Sequence, residues 1–392
     1  MAKNVTVIRA KSVFTPYREI QGGFIVIVDG KIEVIGSGTD YPTGDHVSVY
    51  DFTHGVAAPG FIDLHHHGAV GHRASEGEVD ALKAIGEFLP STGTTGWLPT
   101  VNNVPGCKAI KDFMDLEGQW ANALGVHLEG PFLAPKNTPG DPYEEPIKAD
   151  RDLFDELSDA SGGTVRLIGI APELEGALDL IRYVREKGVV PACAHTKVDY
   201  DFWLKAVDAG LQHVTHAYNV MTGLHHRRPG VVGGVLTSDG VTAELIGDGF
   251  HVHPVAMDIL IRCKGIDNIT LITDCAKYAG LPDGEYESSW GKLIKKGGII
   301  RRAGFDESVD GTMAGSAWTM DHNIRCLVQD VGVPVKDVFR MASTVPARVI
   351  GLDGRKGSLQ VGKDADLTIL DGNLEIAATF IGGREVYKRD KD

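Results

Sequence analysis

The segment Asp-Leu-His-His-His-Gly at residues 63–68 directly follows an apolar run at residues 56–62. Alternate side chains of a β-strand point to the same face, so His65 and His67 are expected to project together while His66 turns away. Two imidazoles on one face are half of a metal site. The spacing therefore predicts that other parts of the chain supply further ligands.

Four more side chains of the ligand type stand at the ends of later apolar runs. A single histidine in such a place is usually structural, but four histidines and two carboxylates at the ends of five strands together indicate a metal centre. His127, two residues before Glu129, shares its inward face and is predicted to support a ligand rather than to bind the metal. The four additional residues are Glu129, His195, His216 and Asp274.

The middle of the chain alternates short apolar strands with helical patterns, which is typical of a parallel α/β fold. Eight strands favour a closed (β/α)8 TIM-like barrel, whose active site lies at the carboxyl ends of the strands. All six candidate metal ligands lie at those carboxyl ends. The expected strands are at residues 61–65, 95–100, 125–129, 165–171, 189–195, 213–218, 242–247 and 269–274. The expected helices are at residues 78–89, 150–158, 173–187, 202–209, 254–264, 319–329 and 335–350.

Both ends of the chain are instead rich in strand patterns. Near the start, apolar runs flank the turn Asp29-Gly30, which is a hairpin signal. Residues 357–371 and 377–387 suggest two or three further strands. We therefore expect a small discontinuous β-sandwich domain made of residues 1–56 plus 351–392, beside a metal-dependent hydrolase barrel at residues 57–350.

The composition limits the classes of partner. The 392 residues are 43% hydrophobic and 23% charged, as in ordinary globular proteins. A formal net charge of -14 argues against binding to nucleic acid or to anionic membranes. Five scattered cysteines without a Cys-x-x-Cys pair form no disulfide framework, which favours a reducing compartment. Since no segment is long and apolar enough to cross a bilayer, a soluble cytoplasmic protein is expected.

Residues 59–68 resemble the first metal motif of the amidohydrolase superfamily. Eight further stretches narrow the resemblance, and together they are similar to the N-acetylglucosamine-6-phosphate deacetylase family over nearly the whole chain. Each motif is weak alone, but their order and spacing are diagnostic. The stretches lie at residues 127–132, 215–221, 228–230, 248–251, 273–274, 280–284, 314–316 and 341–347.

The resemblance implies a metal-dependent enzyme that removes an acetyl group from an amino-sugar 6-phosphate. By family pattern, Glu129, His195 and His216 hold the principal ion, and His65 and His67 match members that hold a second ion, with Glu129 as a bridge. One or two divalent ions are expected per subunit. Zn²⁺ is favoured by the mixed imidazole and carboxylate set, and Fe²⁺, Co²⁺ and Mn²⁺ are compatible with it.

The reaction implied by the family uses metal-bound water as the nucleophile. A metal ion lowers the pKa of its bound water and polarises the amide carbonyl. Asp274 is then expected to act as general base toward the water and as general acid toward the departing amine. For N-acetylglucosamine 6-phosphate the products would be glucosamine 6-phosphate and acetate.

Phosphate recognition requires local positive charge in this acidic chain. The densest basic cluster is at residues 225–230, although such a cluster can also be a solvated loop. The resemblance assigns Arg227 and His251 to the sugar phosphate, in part across the interface of a homodimer, and Asn219 and Val220 to the sugar. It assigns the substrate-lining segment to Met313, Ala314 and Gly315.

The chain departs from the family pattern at three places. The loop at residues 136–142 has no histidine where members often carry one, and Val220 replaces a smaller residue. Larger side chains also follow Asp274, at residues 275–278. The galacto epimer or another N-acyl amino sugar phosphate therefore stays open as the substrate.

Two further alternatives belong to other classes. Another superfamily hydrolase, such as a D-aminoacylase, a cyclic amidase or a deaminase, would share the histidine pair and Asp274 but need not keep Arg227 and His251. A non-catalytic scaffold on the same barrel would be expected to lose metal ligands, and here all of them are present.

Overall fold

The first strands arise from alternating apolar residues near the start of the chain. The computed structural model describes residues 5–135, 145–288, 291–304 and 313–390. The predicted hairpin is confirmed: Asp29 and Gly30, both with positive φ (49° and 80°), form the two-residue turn between antiparallel strands. These strands are β1 (Val5–Phe14), β2 (Glu19–Gln21), β3 (Gly23–Val28), β4 (Lys31–Ser37) and β5 (Val47–Pro59).

Short buried strands follow through the middle of the chain. The barrel strands are mostly apolar because both faces of a parallel barrel sheet are covered. Each barrel strand that was predicted from the sequence is present, several of them shortened by a few residues. The strands of this part of the chain are β6 (Phe61–His66), β7 (Gly68–Ala69), β8 (His72–Arg73), β9 (Thr94–Val101), β10 (Asn122–Ala123), β11 (Val126–Glu129), β12 (Val165–Ile170), β13 (Val190–Cys193), β14 (His213–Val214), β15 (Thr242–Ile246) and β16 (Ile269–Ile272). Of these, β7 and β8 form a separate antiparallel pair, and β10 pairs with β9 beside the barrel.

Amphipathic helices alternate with these strands. Side chains of Asn103, Asp150 and Asp199 cap three of the helices by accepting a hydrogen bond from a first-turn backbone N–H. Short 3₁₀ turns at Ala74–Glu76, Leu89–Thr92 and Ile266–Asn268 join neighbouring elements. The helices up to β16 are α1 (Val79–Phe88), α2 (Val104–Met114), α3 (Arg151–Ala160), α4 (Ala177–Glu186), α5 (Tyr200–Ala209), α6 (Gly230–Thr237) and α7 (Pro254–Lys264).

The segment after β16 adds a small antiparallel sheet and the last helices. This sheet was not predicted from the sequence, because its strands are short and carry many polar residues. The strands are β17 (Gly284–Ser288), β18 (Gly291–Lys296), β19 (Ile299–Arg302) and β20 (Met313–Ser316). The helices are α8 (Met320–Cys326), α9 (Val335–Phe339) and α10 (Val345–Val349), with π-helical turns at Leu327–Val331 and Arg340–Thr344.

Eight parallel strands form a nearly closed barrel in the order β6, β9, β11, β12, β13, β14, β15 and β16. The last and first strands meet where the backbone N–H of Asp274 donates to the carbonyl oxygen of His65 (3.0 Å) and Cys275 pairs with His66. Asp63 strengthens this seam, because its buried carboxylate accepts hydrogen bonds from both the N–H and the hydroxyl of Thr273. The predicted (β/α)8 class is confirmed.

The two ends of the chain share one sheet. The final strands are β21 (Leu367–Leu370), β22 (Ile376–Ile381) and β23 (Arg384–Lys388). They continue the N-terminal strands in the order β23-β22-β21-β5-β1-β3-β4. The assignment of residues 1–56 and 351–392 to one domain, and its exact boundaries, stay a prediction. Among the described ranges of the chain, no helix is long and apolar enough to cross a bilayer.

Candidate metal centre and active site

The side chains predicted to do chemistry all lie at the carboxyl end of the barrel. His65 is in the last part of β6, and Glu129 is the last residue of β11. His195, His216 and Asp274 each come two residues after a strand, namely β13, β14 and β16. Parallel strands end at the same face, so residues far apart in the sequence become neighbours there.

Three of these residues have an unusual backbone conformation. The φ angles are 41° for His195, 31° for His216 and 49° for Asp274. Residues other than glycine rarely adopt positive φ, which costs of order 1–3 kcal/mol for each residue, and such strain clusters at active sites. The chain tolerates it at these three strand ends, where the fold directs each side chain into the shared site.

Glu129, His195 and His216 form the first half of the cluster. The Oε1 atom of Glu129 lies 3.1 Å from Nε2 of His195 and 3.0 Å from Nε2 of His216. The two Nε2 atoms are 3.1 Å apart. Both histidines are almost completely buried. One carboxylate oxygen and two ring nitrogens therefore converge on one point.

His65, His67 and Asp274 form the second half. The Nε2 atoms of His65 and His67 are 3.1 Å apart. Oδ1 of Asp274 lies 3.3 Å from Nε2 of His67 and 3.5 Å from Nε2 of His65. Oε2 of Glu129 is 3.2 Å from Nε2 of His67, so Glu129 touches both halves of the cluster.

Electrostatics in the cluster favour ionised carboxylates. Burial raises the pKa of Glu129, but the positive charge of His65 and His195 and the hydrogen bonds from His195 and His216 outweigh it and hold this pKa well below its usual range. Asp274 is likewise held below its usual pKa, because His65 and His67 overcome the effect of burial. The reverse holds for the imidazoles: burial lowers the pKa of His65, yet Asp274, Glu244 and Glu129 raise it well above the usual value.

The donor set fits a divalent cation. Two groups of three ligand-type side chains, His65, His67 and Asp274 and then Glu129, His195 and His216, each have donor atoms within 4.8 Å of one another. Neutral imidazole nitrogens that face each other at 3.1 Å repel through their lone pairs unless a cation or proton lies between them. Ligands at zinc distances of 2.0–2.2 Å in a tetrahedron lie roughly 3.4 Å apart, close to the spacings seen here.

Glu244 is a buried carboxylate beside the cluster that was not predicted from the sequence. It lies on β15 and has no exposed surface. Its Oε2 atom is 2.9 Å from Nδ1 of His65 and accepts a hydrogen bond from the backbone N–H of His216 (2.9 Å). The available signal was a single carboxylate within an otherwise uncharged strand.

The prediction that His66 turns away is confirmed by its contacts, whereas the supporting role of His127 stays a prediction. The ring of His127 packs edge-on against His65, with centroids 4.6 Å apart, and its Nδ1 lies 3.0 Å from the carbonyl oxygen of Leu64. Burial lowers the pKa of His127 to about 3, so this ring is neutral. His66 turns away from the cluster, with its Nδ1 3.2 Å from a carboxylate oxygen of Asp63.

The structure brings several predicted substrate-binding residues to the rim of the cluster. Asn219 donates to the carbonyl oxygen of His216 (3.3 Å), and the carbonyl oxygen of the exposed Val220 accepts from the N–H of Thr196. Met313, Ala314 and Gly315 lie on β20, whose last residue, Ser316, pairs with Cys275 next to Asp274. The main chain of this segment therefore borders the carboxyl end of β16.

His251 and Arg227 are in different settings. Nδ1 of His251 lies 2.6 Å from Oδ2 of Asp248, and this carboxylate raises the pKa of the imidazole against the effect of burial. Arg227 is exposed, and its guanidinium lies 2.8 Å from Nε2 of His226. The hydrogen bonds of the described residues do not connect Arg227 to the cluster. The loop at 136–142, predicted to lack a substrate contact, falls outside the described residues.

A family model described as the amidohydrolase family matches residues 56–386, which include the whole barrel and every residue of the cluster. The chain belongs to the amidohydrolase family. It is therefore an enzyme of a family whose members perform hydrolysis at metal centres, and the resemblance found in the sequence is confirmed.

Curated relatives within the amidohydrolase family cover the chain almost end to end. The N-acetylglucosamine-6-phosphate deacetylase of Bacillus subtilis (strain 168) is 33% identical over 389 residues, which are 96% of each protein. The N-acetylgalactosamine-6-phosphate deacetylase of Escherichia coli O157:H7 is 35% identical over 384 residues, covering 96% of this chain and 98% of the relative.

Solved structures of the amidohydrolase family agree in fold. The N-acetyl-D-glucosamine-6-phosphate deacetylase of Mycobacterium smegmatis, solved with N-acetyl-D-glucosamine-6-phosphate, superposes with a TM-score of 0.87 at 28% identity and covers 98% of this chain and 99% of that one. The N-acetylglucosamine-6-phosphate deacetylase of Pasteurella multocida has a TM-score of 0.88 at 27% identity, with 97% and 99% covered.

Proposed function

We propose that this enzyme hydrolyses the N-acetyl group of an amino-sugar 6-phosphate, with N-acetylglucosamine 6-phosphate as the first candidate. The observation that carries the proposal is the convergence of Glu129, His195 and His216 with Asp274 at one end of the barrel. The names of its curated relatives support this substrate class. The products are acetate and the free amine of the sugar phosphate.

The two halves of the cluster would hold one or two divalent cations. The principal ion would be held by Glu129, His195 and His216. A second ion would be held by His65 and His67, and Glu129 could serve as a ligand to both ions. Zn²⁺ is the favoured ion because imidazole and carboxylate ligands suit it, and Fe²⁺, Co²⁺ and Mn²⁺ are accepted by the same ligands. A bound divalent cation supplies Lewis-acid polarisation of the amide carbonyl and a lower pKa for water.

Asp274 performs the proton transfers in this proposal. Its carboxylate is ionised at neutral pH, so it can take a proton from the water whose oxygen attacks the acetyl carbon. The protonated Asp274 then gives that proton to the sugar nitrogen as the carbon–nitrogen bond breaks. The carboxylate of Asp274 is restored, and the acetic acid so formed gives its remaining proton to the amine, so that acetate and an ammonium group are the products at neutral pH. The contact with His67 keeps Asp274 oriented toward the cluster.

Arg227 and His251 would bind the phosphate. The pKa of the His251 imidazole is raised by its bond to Asp248, so this group would supply positive charge to the phosphate. Arg227 is exposed and, among the described residues, has no hydrogen bond to the cluster, and we propose a homodimer in which this guanidinium reaches the site of the partner. The sugar itself would be lined by Asn219, Val220, Met313, Ala314 and Gly315.

A cytoplasmic location fits the proposed role of this enzyme in the turnover of phosphorylated sugars.

N-acetylgalactosamine 6-phosphate is the second candidate substrate. Val220 is exposed at the rim, and Lys277, three residues after Asp274, is partly exposed, whereas the ring of Tyr278 is buried against Tyr286. Val220 and Lys277 are therefore the large side chains that could contact the sugar hydroxyls. The relative named for the galacto sugar is 35% identical to this chain.

An acetate-release assay coupled to metal analysis tests the proposal. The purified protein is assayed with both N-acetylhexosamines, each with and without the 6-phosphate, before and after removal of metal by a chelator. We expect acetate release from a phosphorylated sugar, its loss with the chelator, and recovery with added Zn²⁺ or another of the four ions. Turnover of an N-acyl amino acid or a cyclic amide without any acetate release would replace the proposal with a different hydrolase activity.

A further inference from the structure

We infer that Glu244 is a positioning residue that joins the two halves of the metal centre through a single carboxylate oxygen. This inference rests on the proposed function, since it concerns the residues proposed to hold the ions. Its basis is that Oε2 of Glu244 contacts the side chain of His65 from one half and the main chain of His216 from the other, each at 2.9 Å.

The contact with His65 sets the orientation of that imidazole. A proton on Nδ1 can be donated to Oε2 of Glu244, which leaves the lone pair of Nε2 directed into the cluster. Nε2 of His65 indeed lies 3.1 Å from Nε2 of His67 and 3.5 Å from Oδ1 of Asp274. The ring of His127 packs edge-on against the same imidazole and limits its rotation.

The contact with His216 holds a strained main chain. His216 has a φ of 31°, and its N–H donates to Oε2 of Glu244. The next N–H, of Ala217, donates to the main-chain oxygen of Glu244 (2.9 Å). Together these bonds stabilise the turn that directs Nε2 of His216 toward Glu129, where the distance to Oε1 is 3.0 Å.

Burial makes the carboxylate difficult to replace. Glu244 has no exposed surface, so water cannot substitute for its oxygens without a rearrangement. Its second oxygen, Oε1, faces Nε2 of His213 at 3.5 Å. An amide at this position keeps the shape, and its oxygen can still accept from His65 and from the N–H of His216, but it loses the negative charge that makes both hydrogen bonds strong and retains the proton on Nδ1 of His65. Both contacts should then weaken together.

Metal affinity is the measurement that separates this role from general stability. Purified wild type and the Glu244→Gln variant are stripped with a chelator, checked for folding by circular dichroism, and titrated with Co²⁺ by absorption and with Zn²⁺ by competition. We expect each binding step seen in the wild type to weaken by roughly 10- to 100-fold in the variant, as is usual when a group behind a metal ligand is removed. The Asp366→Asn variant is the matched control, because Asp366 is also a buried carboxylate but pairs with Lys356 in the terminal sheet region.

The control should lose thermal stability without any change in metal affinity. Unchanged affinity in the Glu244→Gln variant, or weakening confined to one of two binding steps, would overturn the joint role of Glu244. If the amide variant does not fold, Glu244→Asp carries the same test, because its shorter side chain cannot reach both partners; affinity equal to wild type would again refute the inference. A wild type that binds no metal would instead contradict the proposed function.

Discussion

Oδ1 of Asp274 lies 3.3 Å from Nε2 of His67, and the N–H of Asp274 is held by the carbonyl oxygen of His65. The carboxylate is thus fixed by the strand that carries the histidine pair, across the seam where the barrel closes. Because His65 and His67 hold the pKa of Asp274 below its usual range against the effect of burial, the carboxylate is ionised at neutral pH and can accept a proton. This geometry makes Asp274 the residue whose loss should affect chemistry more than binding.

Asp274→Asn should abolish turnover while metal and substrate still bind. The amide has nearly the same shape but cannot carry a proton between water and the leaving amine, so we expect kcat to fall by about 10³-fold or more. Steady-state kinetics, metal analysis and calorimetric binding of the phosphorylated sugar measure the three quantities separately. A variant that retained wild-type kcat would assign the proton transfers to another group.

Arg227→Ala should weaken binding of the phosphorylated sugar much more than binding of its dephosphorylated analogue. Only the former presents an anion to the guanidinium, and one charge-assisted contact corresponds to roughly 10- to 100-fold in affinity. KM or binding measurements on both sugars test this. Arg228→Ala is the matched control, since Arg228 is an exposed arginine of the same loop. Equal losses for both sugars would place the phosphate site elsewhere.

The homodimer can be tested with the Asp274→Asn and Arg227→Ala variants. If Arg227 completes the site of the partner, an inactive Asp274→Asn chain mixed with an Arg227→Ala chain of weakened substrate affinity should form some sites that have both residues. Activity recovered after subunit exchange, together with a dimer mass in solution, is the expected result. A monomer mass with full wild-type activity would contradict the shared site.

The predictable part of the fold came from local patterns. His65 and His67 alternate along one strand, and Glu129 and Asp274 follow apolar runs, so strand spacing alone predicted their convergence. Helix α6 was missed because Gly230–Thr237 is rich in glycine and valine and lacks a helical pattern. It forms because the chain packs there against Trp203, and Gly234 lies so close to that ring that a Cβ would be 2.5 Å from it.

Glu244 could not be assigned a role from local patterns. A single carboxylate in a short strand is ordinarily a solvent-facing residue, and nothing near it in the sequence needs a hydrogen bond. Its main side-chain partner, His65, is 179 residues away and becomes its neighbour only when the barrel curves around. Contacts across the interior of a closed barrel are properties of the whole sheet, so the pattern of one strand does not contain them.

The affinity for the phosphorylated sugar should depend on pH through His251. Burial lowers the pKa of this imidazole, but its bond to Asp248 and the charges of Asp248 and Asp274 raise it above the usual value of about 6.5. The imidazolium therefore persists to higher pH than in an ordinary histidine, and KM should rise only as the pH passes the raised pKa. In Asp248→Asn the rise in KM should begin at lower pH, since the partner that retains the proton is gone.

The dephosphorylated sugar provides the control for this pH profile. Its KM should not follow the His251 titration, because it has no anion to pair with the imidazolium. Asn at position 248 can still accept the hydrogen bonds that Asp248 receives from the N–H groups of Phe250 and His251, so the loop itself should be preserved. Identical pH profiles for wild type and Asp248→Asn would refute the electrostatic role of this pair.

Asp364→Asn should lower the stability of the protein by about 2 kcal/mol at neutral pH, as expected when a nearly buried charge-assisted hydrogen bond is lost. Asp364 pairs with Lys31, Arg355 and Lys356, and these cations lower its pKa despite its burial. A carboxyl whose folded-state pKa is depressed stabilises the fold above its unfolded pKa of about 3.9, and this stabilisation is lost as the pH falls toward the folded value. The difference in free energy of unfolding between wild type and variant should therefore be constant near neutral pH and shrink below about pH 4. Urea unfolding followed by fluorescence at several pH values measures this difference in free energy of unfolding. The control is Asp40→Asn, which changes an exposed carboxylate. A difference that stays constant into acid would show that the shape of the side chain, and not its charge, accounts for the lost stability.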